Sequence, residues 1–298
     1  MKRIIVSLLS LLSVTCANAQ APSVMVGDEV TRVSEHVWAI IGFPNIGIVV
    51  GARGVLVVDT GLGPRNGATA ARLARQLAPH QKMYLTTTHF HPEHSAGEAG
   101  FPLGTILIRN RVQQQEMDAH FQEMVDMFAS RSAEQRDLLS KVVVQKPDVV
   151  YDSRYRLDLG GGVSARLLWF GGAHTKGDEL IFVDPDRTLI SGDVVQNKVA
   201  PNIYGEGGTP SSWIAVLDRI QPLGVLKVLP DHSAMGDGSL VADEKAFITD
   251  LRTRALELKR QATSSEEAGK ILTEEFKTRY IDWRLNSVPA FVVRIYAE

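Results

Sequence analysis

The feature that most constrains this chain is a histidine-rich run at residues 88–94, Thr-His-Phe-His-Pro-Glu-His, which holds three of the eight histidines. Neutral imidazole binds zinc and other first-row divalent metals, and an added carboxylate extends the choice to harder ions. His89 and His91 are two positions apart, so they point to the same side of an extended segment. The proline that follows ends regular structure and lets Glu93 and His94 turn back. A polar surface loop is the alternative, but this density of ligand types favours a metal site.

Length and composition set broad limits on the fold and its partners. With 298 residues and 44% hydrophobic content, the chain can bury a large core, either as one large domain or as two small ones. The net charge of -2 gives no electrostatic reason to expect binding to nucleic acid or to an anionic membrane surface. We therefore expect no nucleic-acid partner.

The first nineteen residues have the layout of a secretory signal peptide. Two basic residues precede an apolar run at residues 4–14, and Ala-Asn-Ala follows at 17–19. Cleavage after Ala19 would leave residues 20–298 as a single mature domain in the periplasm or outside the cell. A membrane anchor is a weaker alternative, because the run is about half of the roughly 20 residues that a spanning helix needs. A lipoprotein would use Cys16, in a poor lipidation context.

The number and position of cysteines limit the chemistry that the mature chain could carry out. Cys16 is the only cysteine, so the mature chain would have no disulfide, no thiolate nucleophile and no cysteine metal ligand. No later segment is long and apolar enough to span a membrane.

Periodicity predicts alternating β-rich and helical segments in two halves. We predict strands at 37–41, 46–50, 55–58, 82–88, 105–108, 154–159, 164–170, 179–183, 188–191 and 225–229. We predict helices at 66–77, 111–140 with a break near Ser130, 211–220, 241–262 and 265–277. The methionines at 117, 124 and 127 favour a core stripe, although this helical insertion could also form one wall of a cleft.

Four further polar residues each follow a predicted strand. Asp59 precedes a glycine-rich turn, His174 lies in another, and Asp193 and His232 end later strands. Each also has a structural interpretation, such as a turn-forming aspartate that bonds its own backbone. If these strands share one edge of a layered sheet, their loops converge on the loop that holds His89, as functional loops on rigid scaffolds usually do.

In this order, the residues resemble the metallo-β-lactamase superfamily over about residues 35–235. Its pattern is His-X-His-X-Asp-His, followed by His, Asp and His at later strand ends, with an Asp-Thr-Gly turn upstream. The resemblance implies an α+β four-layer αββα sandwich, with a C-terminal helical extension at about 240–280. It also implies two zinc ions. The first would be held by His89, His91 and His174, and the second by Glu93, His94 and His232. Asp193 would bridge the two ions, and Asp59 would contact a metal-bound histidine without binding a metal itself.

Two residues depart from the pattern. Glu93 stands where the family usually has aspartate, which makes the second metal less secure, and Asp231 stands where many relatives have glycine, which restricts the backbone.

The resemblance implies an exported zinc-dependent hydrolase that acts on a small-molecule substrate. A metal-activated hydroxide would cleave an ester, lactone, thioester or amide bond, with Glu93 and Asp193 as the catalytic carboxylates. Three alternatives remain open: a β-lactamase proper, an iron-dependent oxidoreductase of the same fold, and a metal-binding accessory protein without turnover.

Substrate contacts are predicted in the loop after Asp193. Its polar residues are Gln196, Asn197, Lys198, Asn202 and Tyr204, and Lys198 could pair with a substrate carboxylate. A solvated polar loop is the alternative. Phe43, upstream, could form an apolar wall of the site.

Overall fold

The computed structural model describes residues 23–205 and 207–298. The predicted signal peptide and Cys16 lie outside the described residues. Within this part of the chain, two β-sheets are stacked face to face, and helices cover the outer face of each.

The first half of the chain builds a seven-stranded sheet. Its strands are β1 (Thr31–Arg32), β2 (Val37–Ile40), β3 (Ile46–Val50), β4 (Gly54–Val58), β5 (Lys82–Thr86), β6 (Ile106–Asn110) and β7 (Val149–Tyr151), and they lie in chain order. Neighbours are antiparallel from β1 to β4 and parallel from β4 to β7. The helices of this half are α1 (Pro64–Leu77), α2 (Pro92–Ser95), α3 (Arg111–Arg131) and α4 (Ala133–Leu139).

The second half builds a six-stranded sheet and the C-terminal helices. The strands are β8 (Arg154–Gly160), β9 (Val163–Leu168), β10 (Leu180–Asp184), β11 (Thr188–Gly192), β12 (Lys227–Pro230) and β13 (Gly236–Asp237), in the order β13–β12–β11–β10–β9–β8. The helices are α5 (Pro210–Ile220), α6 (Ser239–Arg260), α7 (Ser265–Arg279) and α8 (Val288–Ala297).

Strand β4 shows why the layers form. Successive side chains of a strand point to opposite faces. Leu56 and Val58 join the apolar core between the sheets, whereas Val55 and Val57 pack in the core that contains residues of α1. A strand covered on both faces is a continuous apolar run rather than an alternating one. The predicted αββα sandwich is confirmed.

The C-terminal helices belong to the outer layer of the second sheet. The core there includes the fully buried rings of Trp213, Phe247, Phe276 and Phe291, from α5, α6, α7 and α8 in turn. The predicted helical extension at about 240–280 is too short, because α8 continues it to Ala297.

The break in the helical insertion comes at Ser132, two residues later than predicted. Its extended backbone ends α3, and its hydroxyl accepts a hydrogen bond from the Gln135 amide and so caps α4. Among the described helices, none combines the length and apolar character needed to cross a membrane.

Candidate metal centre

The carboxyl ends of five strands meet at one edge of the sandwich. β4 and β5 are parallel in the first sheet, and β9, β11 and β12 share one direction in the second. Asp59 follows β4 and the histidine-rich loop follows β5, while His174, Asp193 and His232 follow β9, β11 and β12. The structure thus brings together all the residues that the sequence predicts as metal ligands, together with Asp59.

The histidine-rich loop is fixed by hydrogen bonds to its neighbours. The Thr88 amide donates to Asp59 Oδ1 at 2.7 Å, and the Thr60 amide donates to the His94 carbonyl at 2.9 Å. Gly192 lies against this loop with φ of 57°, and a Cβ there would come within 2.8 Å of the Thr88 Cβ. Only glycine fits this close approach and positive φ.

The first group of candidate ligands is formed by His89, His91 and His174, whose ligand atoms lie within 4.8 Å of one another. His89 Nε2 and His91 Nδ1 are 3.0 Å apart. His174 Nδ1 lies 2.7 Å from the Asn202 carbonyl, so a proton on Nδ1 leaves Nε2 free to bind an ion. Asn202, predicted as a substrate contact, therefore contacts the site through its backbone.

The second group is formed by Glu93, His94 and His232, also within 4.8 Å. The Nε2 atoms of His94 and His232 are 3.2 Å apart, and Glu93 Oε1 is 3.9 Å from His94 Nε2. The longer side chain of glutamate thus still reaches the second group.

Asp193 lies between the two groups. Its Oδ2 is 3.2 Å from His174 Nε2 and its Oδ1 is 3.4 Å from His232 Nε2. The Gln196 amide donates to Oδ1 at 2.9 Å and so fixes the carboxylate. Asp193 thus has one carboxylate oxygen within 3.4 Å of a histidine of each group, and its bridging role stays a prediction.

Two carboxylates lie behind His94. Its Nδ1 is 3.1 Å from Asp59 Oδ2 and 3.2 Å from Asp231 Oδ2, and the Thr88 hydroxyl lies within 3.2 Å of both carboxylates. All these side chains are buried. A carboxylate on one ring nitrogen orients the imidazole and leaves the other nitrogen for a metal.

Asp231 and Thr88 are contacts that sequence reasoning did not find. Asp231 was predicted to act through its backbone, yet its contribution is a second carboxylate on His94. The sequence did contain a sign of this role, because Asp231 directly follows an apolar strand, as Asp59 and Asp193 do.

Burial and charge set the protonation of the cluster. Burial, reinforced by neighbouring histidines, lowers the pKa of His89 and His91 well below the ordinary value, which favours the neutral form that binds metals. Burial lowers the pKa of His94 too, but Asp59 and Asp231 outweigh it and raise that pKa well above its ordinary value.

The acidic ligand candidates differ from each other. Burial raises the pKa of Glu93 to about 7. Burial also raises the pKa of Asp193, but His232, His174 and His94 outweigh it, and the net pKa is lowered. Asp193 is therefore anionic between the two histidine groups.

The donor set fits metal ions. Ring nitrogens face each other at 3.0 and 3.2 Å, and two buried lone pairs that face each other need a proton or a cation between them. The buried Oε2 of Glu93 has no hydrogen-bond partner within the described chain. Imidazole and carboxylate donors suit zinc and iron alike.

The predicted substrate residues are placed differently from one another. The Tyr204 ring packs 4.7 Å from His91 and 5.4 Å from His174, and Phe43 packs 4.3 Å from His232. Lys198 lies apart from the cluster, in a cavity with Trp283 and 3.9 Å from Asp282. The structure thus brings both aromatic candidates, Tyr204 and Phe43, to the site, and does not bring Lys198 there.

The sequence profile of the metallo-beta-lactamase superfamily matches residues 40–239, and the chain belongs to this superfamily. Among solved structures, a metallo-beta-lactamase from Pontibacter korlensis is similar with a TM-score of 0.57 and 20% identity, over 74% of this chain and 99% of that one. The inverting sec-alkylsulfatase Pisa1 from Pseudomonas sp. is similar with a TM-score of 0.71 and 16% identity, over 90% of this chain. This chain spans 50% of the sulfatase's length. No curated protein matches the sequence at a significant level.

At these identities, the structural similarity concerns the fold. A share of 90% of the 298 residues cannot be contained in residues 1–239, so the similarity to the sulfatase extends into the C-terminal helices.

Proposed function

We propose that the protein is an exported, zinc-dependent hydrolase that cleaves an ester, lactone, thioester or amide bond in a small molecule. Sulfate esters and β-lactams are among the candidate substrates. The observation that carries this proposal is the position of Asp193, with one carboxylate oxygen near each of two buried histidine groups. That arrangement is the one expected for two metal ions that share a carboxylate ligand.

Each residue has a definite part in this proposal. His89, His91 and His174 would hold the first ion, and Glu93, His94 and His232 the second. When bound, zinc supplies a Lewis acid that polarises the oxygen of the scissile group and makes water acidic. Asp193 would fix the separation of the two groups and hold negative charge between them. Asp59 and Asp231 would keep His94 oriented with Nε2 towards the centre.

Metal content and hydrolysis test this proposal together. After expression in minimal medium, we expect about two zinc ions per chain, with hydrolysis in a screen of lactam, lactone, thioester, phosphodiester and sulfate ester substrates. His91→Ala and Glu93→Ala are expected to lose metal and activity, because each removes a donor. His80→Ala, which removes an exposed histidine outside the cluster, is the matched control.

Three outcomes would contradict the proposal. Iron in place of zinc would favour an oxidoreductase, and stoichiometric zinc without turnover on any substrate class would favour an accessory protein. Unchanged zinc and hydrolysis in either alanine variant would refute the ligand assignment. Nitrocefin separates β-lactam hydrolysis from the other reactions.

Export is tested independently of catalysis. The mature protein from a periplasmic fraction is expected to begin at Gln20, and an intact N-terminus on the recovered protein would refute export.

A further inference from the structure

The loop that carries His232 is held by its backbone. The four consecutive carbonyls of residues 230–233 each accept a hydrogen bond from outside the loop. Asn45, between β2 and β3 of the first sheet, binds three of them. Its Nδ2 donates to the first and the last, at 2.8 and 2.9 Å, and its backbone amide donates to the second at 2.7 Å. Arg284, between α7 and α8, donates to the remaining carbonyl, that of His232 itself. A loop of the second sheet thus takes its path from the first sheet and from the C-terminal segment.

The side chain of Asn45 uses both ends of its amide. Its Oδ1 accepts a hydrogen bond from the Gly42 amide at 3.0 Å, so the NH2 group must face the His232 loop. Asn45 is only 3% exposed, and water therefore has little access to replace these bonds. An aspartate has the same size but no donor for the two carbonyls. The asparagine amide therefore closes its own turn and holds the His232 loop at the same time.

The ring of His232 is oriented differently from two other candidate ligands. Nδ1 of His94 contacts two carboxylates and Nδ1 of His174 contacts a backbone carbonyl, and such contacts orient an imidazole that binds a metal. The buried Nδ1 of His232 has no hydrogen-bond partner within the described residues. Its ring instead packs 4.3 Å from the ring of Phe43, which lies on the same loop as Asn45. The loop between β2 and β3 therefore holds both the ring and the backbone of His232.

We propose that Asn45 is a positioning residue of the candidate metal centre: with Arg284 in support, it fixes the His232 loop so that His232 Nε2 stays directed at the second ion. The proposal rests on the metal centre of the proposed function and not on any reaction. A shift of this loop would move His232 away from His94, whose Nε2 is 3.2 Å from its own. The first histidine group has no residue in this loop and would stay in place.

Competition with a chromogenic chelator measures the two zinc dissociation constants of the purified protein. Asn45→Ala is expected to weaken binding of the second ion by about tenfold, because the support of one of its ligands is removed. Binding of the first ion is expected to stay unchanged. A general loss of stability would not separate the two ions in this way.

Asn66→Ala is the matched control. Asn66 is also buried, and its side chain makes the same three kinds of hydrogen bond as that of Asn45. Its Oδ1 accepts from the Val26 amide, and its Nδ2 donates to the carbonyls of Val24 and Leu62. The control is expected to lower stability in urea to a similar extent as Asn45→Ala and to leave both zinc dissociation constants unchanged.

Arg284→Met provides a second variant, which decides the question even if Asn45→Ala does not fold. The Arg284 side chain is exposed, so its removal leaves the core intact and is expected to weaken the second ion less than Asn45→Ala does. Arg260→Met, which removes an exposed arginine at the end of α6, is its control.

An unchanged dissociation constant for the second ion in the folded variants would overturn the proposal, and so would equal weakening of both ions. A loss of the second ion in Asn66→Ala as large as that in Asn45→Ala would also overturn it. Selective weakening of the second ion by Asn45→Ala, in a protein that hydrolyses no substrate, would refute the proposed function and leave the role of Asn45 standing.

Discussion

Glu179, buried just before β10, makes the stability of this protein depend on pH. Its Oε1 lies 2.5 Å from the Thr86 hydroxyl, which is also 2.9 Å from the Ile108 carbonyl, and its Oε2 accepts a hydrogen bond from the Tyr151 hydroxyl at 2.5 Å. A hydroxyl has one proton. A protonated Glu179 can donate to Thr86, which then donates to Ile108, so the neutral carboxyl satisfies every group.

The size of the change in unfolding free energy follows from the pKa of Glu179. Burial raises the pKa of Glu179 to about 8, from an ordinary value of 4.5, and Asp59 adds to the shift while hydrogen bonds and Arg109 oppose it. The folded state therefore holds the proton more tightly than the unfolded state. Its contribution to stability is complete below pH 4.5 and is lost as the pH rises through 8. The loss is up to about 5 kcal/mol, at about 1.4 kcal/mol for each pH unit.

Glu179→Gln tests this reasoning, because the amide can donate to Thr86 and accept from Tyr151 without titrating. Urea unfolding of both proteins in chelator, from pH 5 to pH 9, gives the difference in unfolding free energy. We expect the variant to gain stability over the wild type as the pH rises, by several kcal/mol in all. Glu134→Gln, on the exposed surface of α4, is the matched control. Parallel curves for Glu179→Gln and wild type, or a difference of the opposite sign, would refute a neutral buried carboxyl.

Two further predictions concern other buried charges. Asp231→Asn removes one of the two carboxylates that contact His94. It is expected to weaken zinc binding about 10- to 100-fold, measured by competition with a chromogenic chelator. An unchanged affinity would show that Asp59 alone orients the His94 ring. Arg109→Met leaves the buried Glu98 without its ion-pair partner and is expected to cost about 3–5 kcal/mol in urea unfolding, whereas the double variant with Glu98→Met is expected to recover most of this loss. A double variant no more stable than Arg109→Met would contradict the ion-pair explanation.

Local sequence patterns predicted most of the layers. Apolar runs of strand length and helices with one apolar face can be buried in few arrangements other than stacked layers. Helix α8 was missed because its valines and isoleucine favour strands and Pro289 resembles a helix breaker. In the structure, Pro289 lies in the first turn, where a missing amide proton costs nothing. Helix α8 is buried against the other C-terminal helices, and this packing cannot be read from a short stretch of sequence.

The candidate ligands were predictable because each directly follows a strand or lies in the loop after one, so strand direction brings them to one edge. Side-chain direction within loops was not predictable. Lys198 follows Asp193 closely in sequence, but its backbone has a φ of 57° and its side chain lies near Asp282.

The division of the candidate ligands between the sheets has a consequence for stability. Four of them lie in one loop of the first sheet, and His174, Asp193 and His232 come from the second. An ion bound by both sets is a reversible cross-link between the layers, in a chain whose only cysteine is Cys16. Free zinc at a thousand times its dissociation constant would stabilise the folded state by about 4 kcal/mol. The folded fraction of this protein would then report the zinc supply of its surroundings, independently of any reaction that it catalyses.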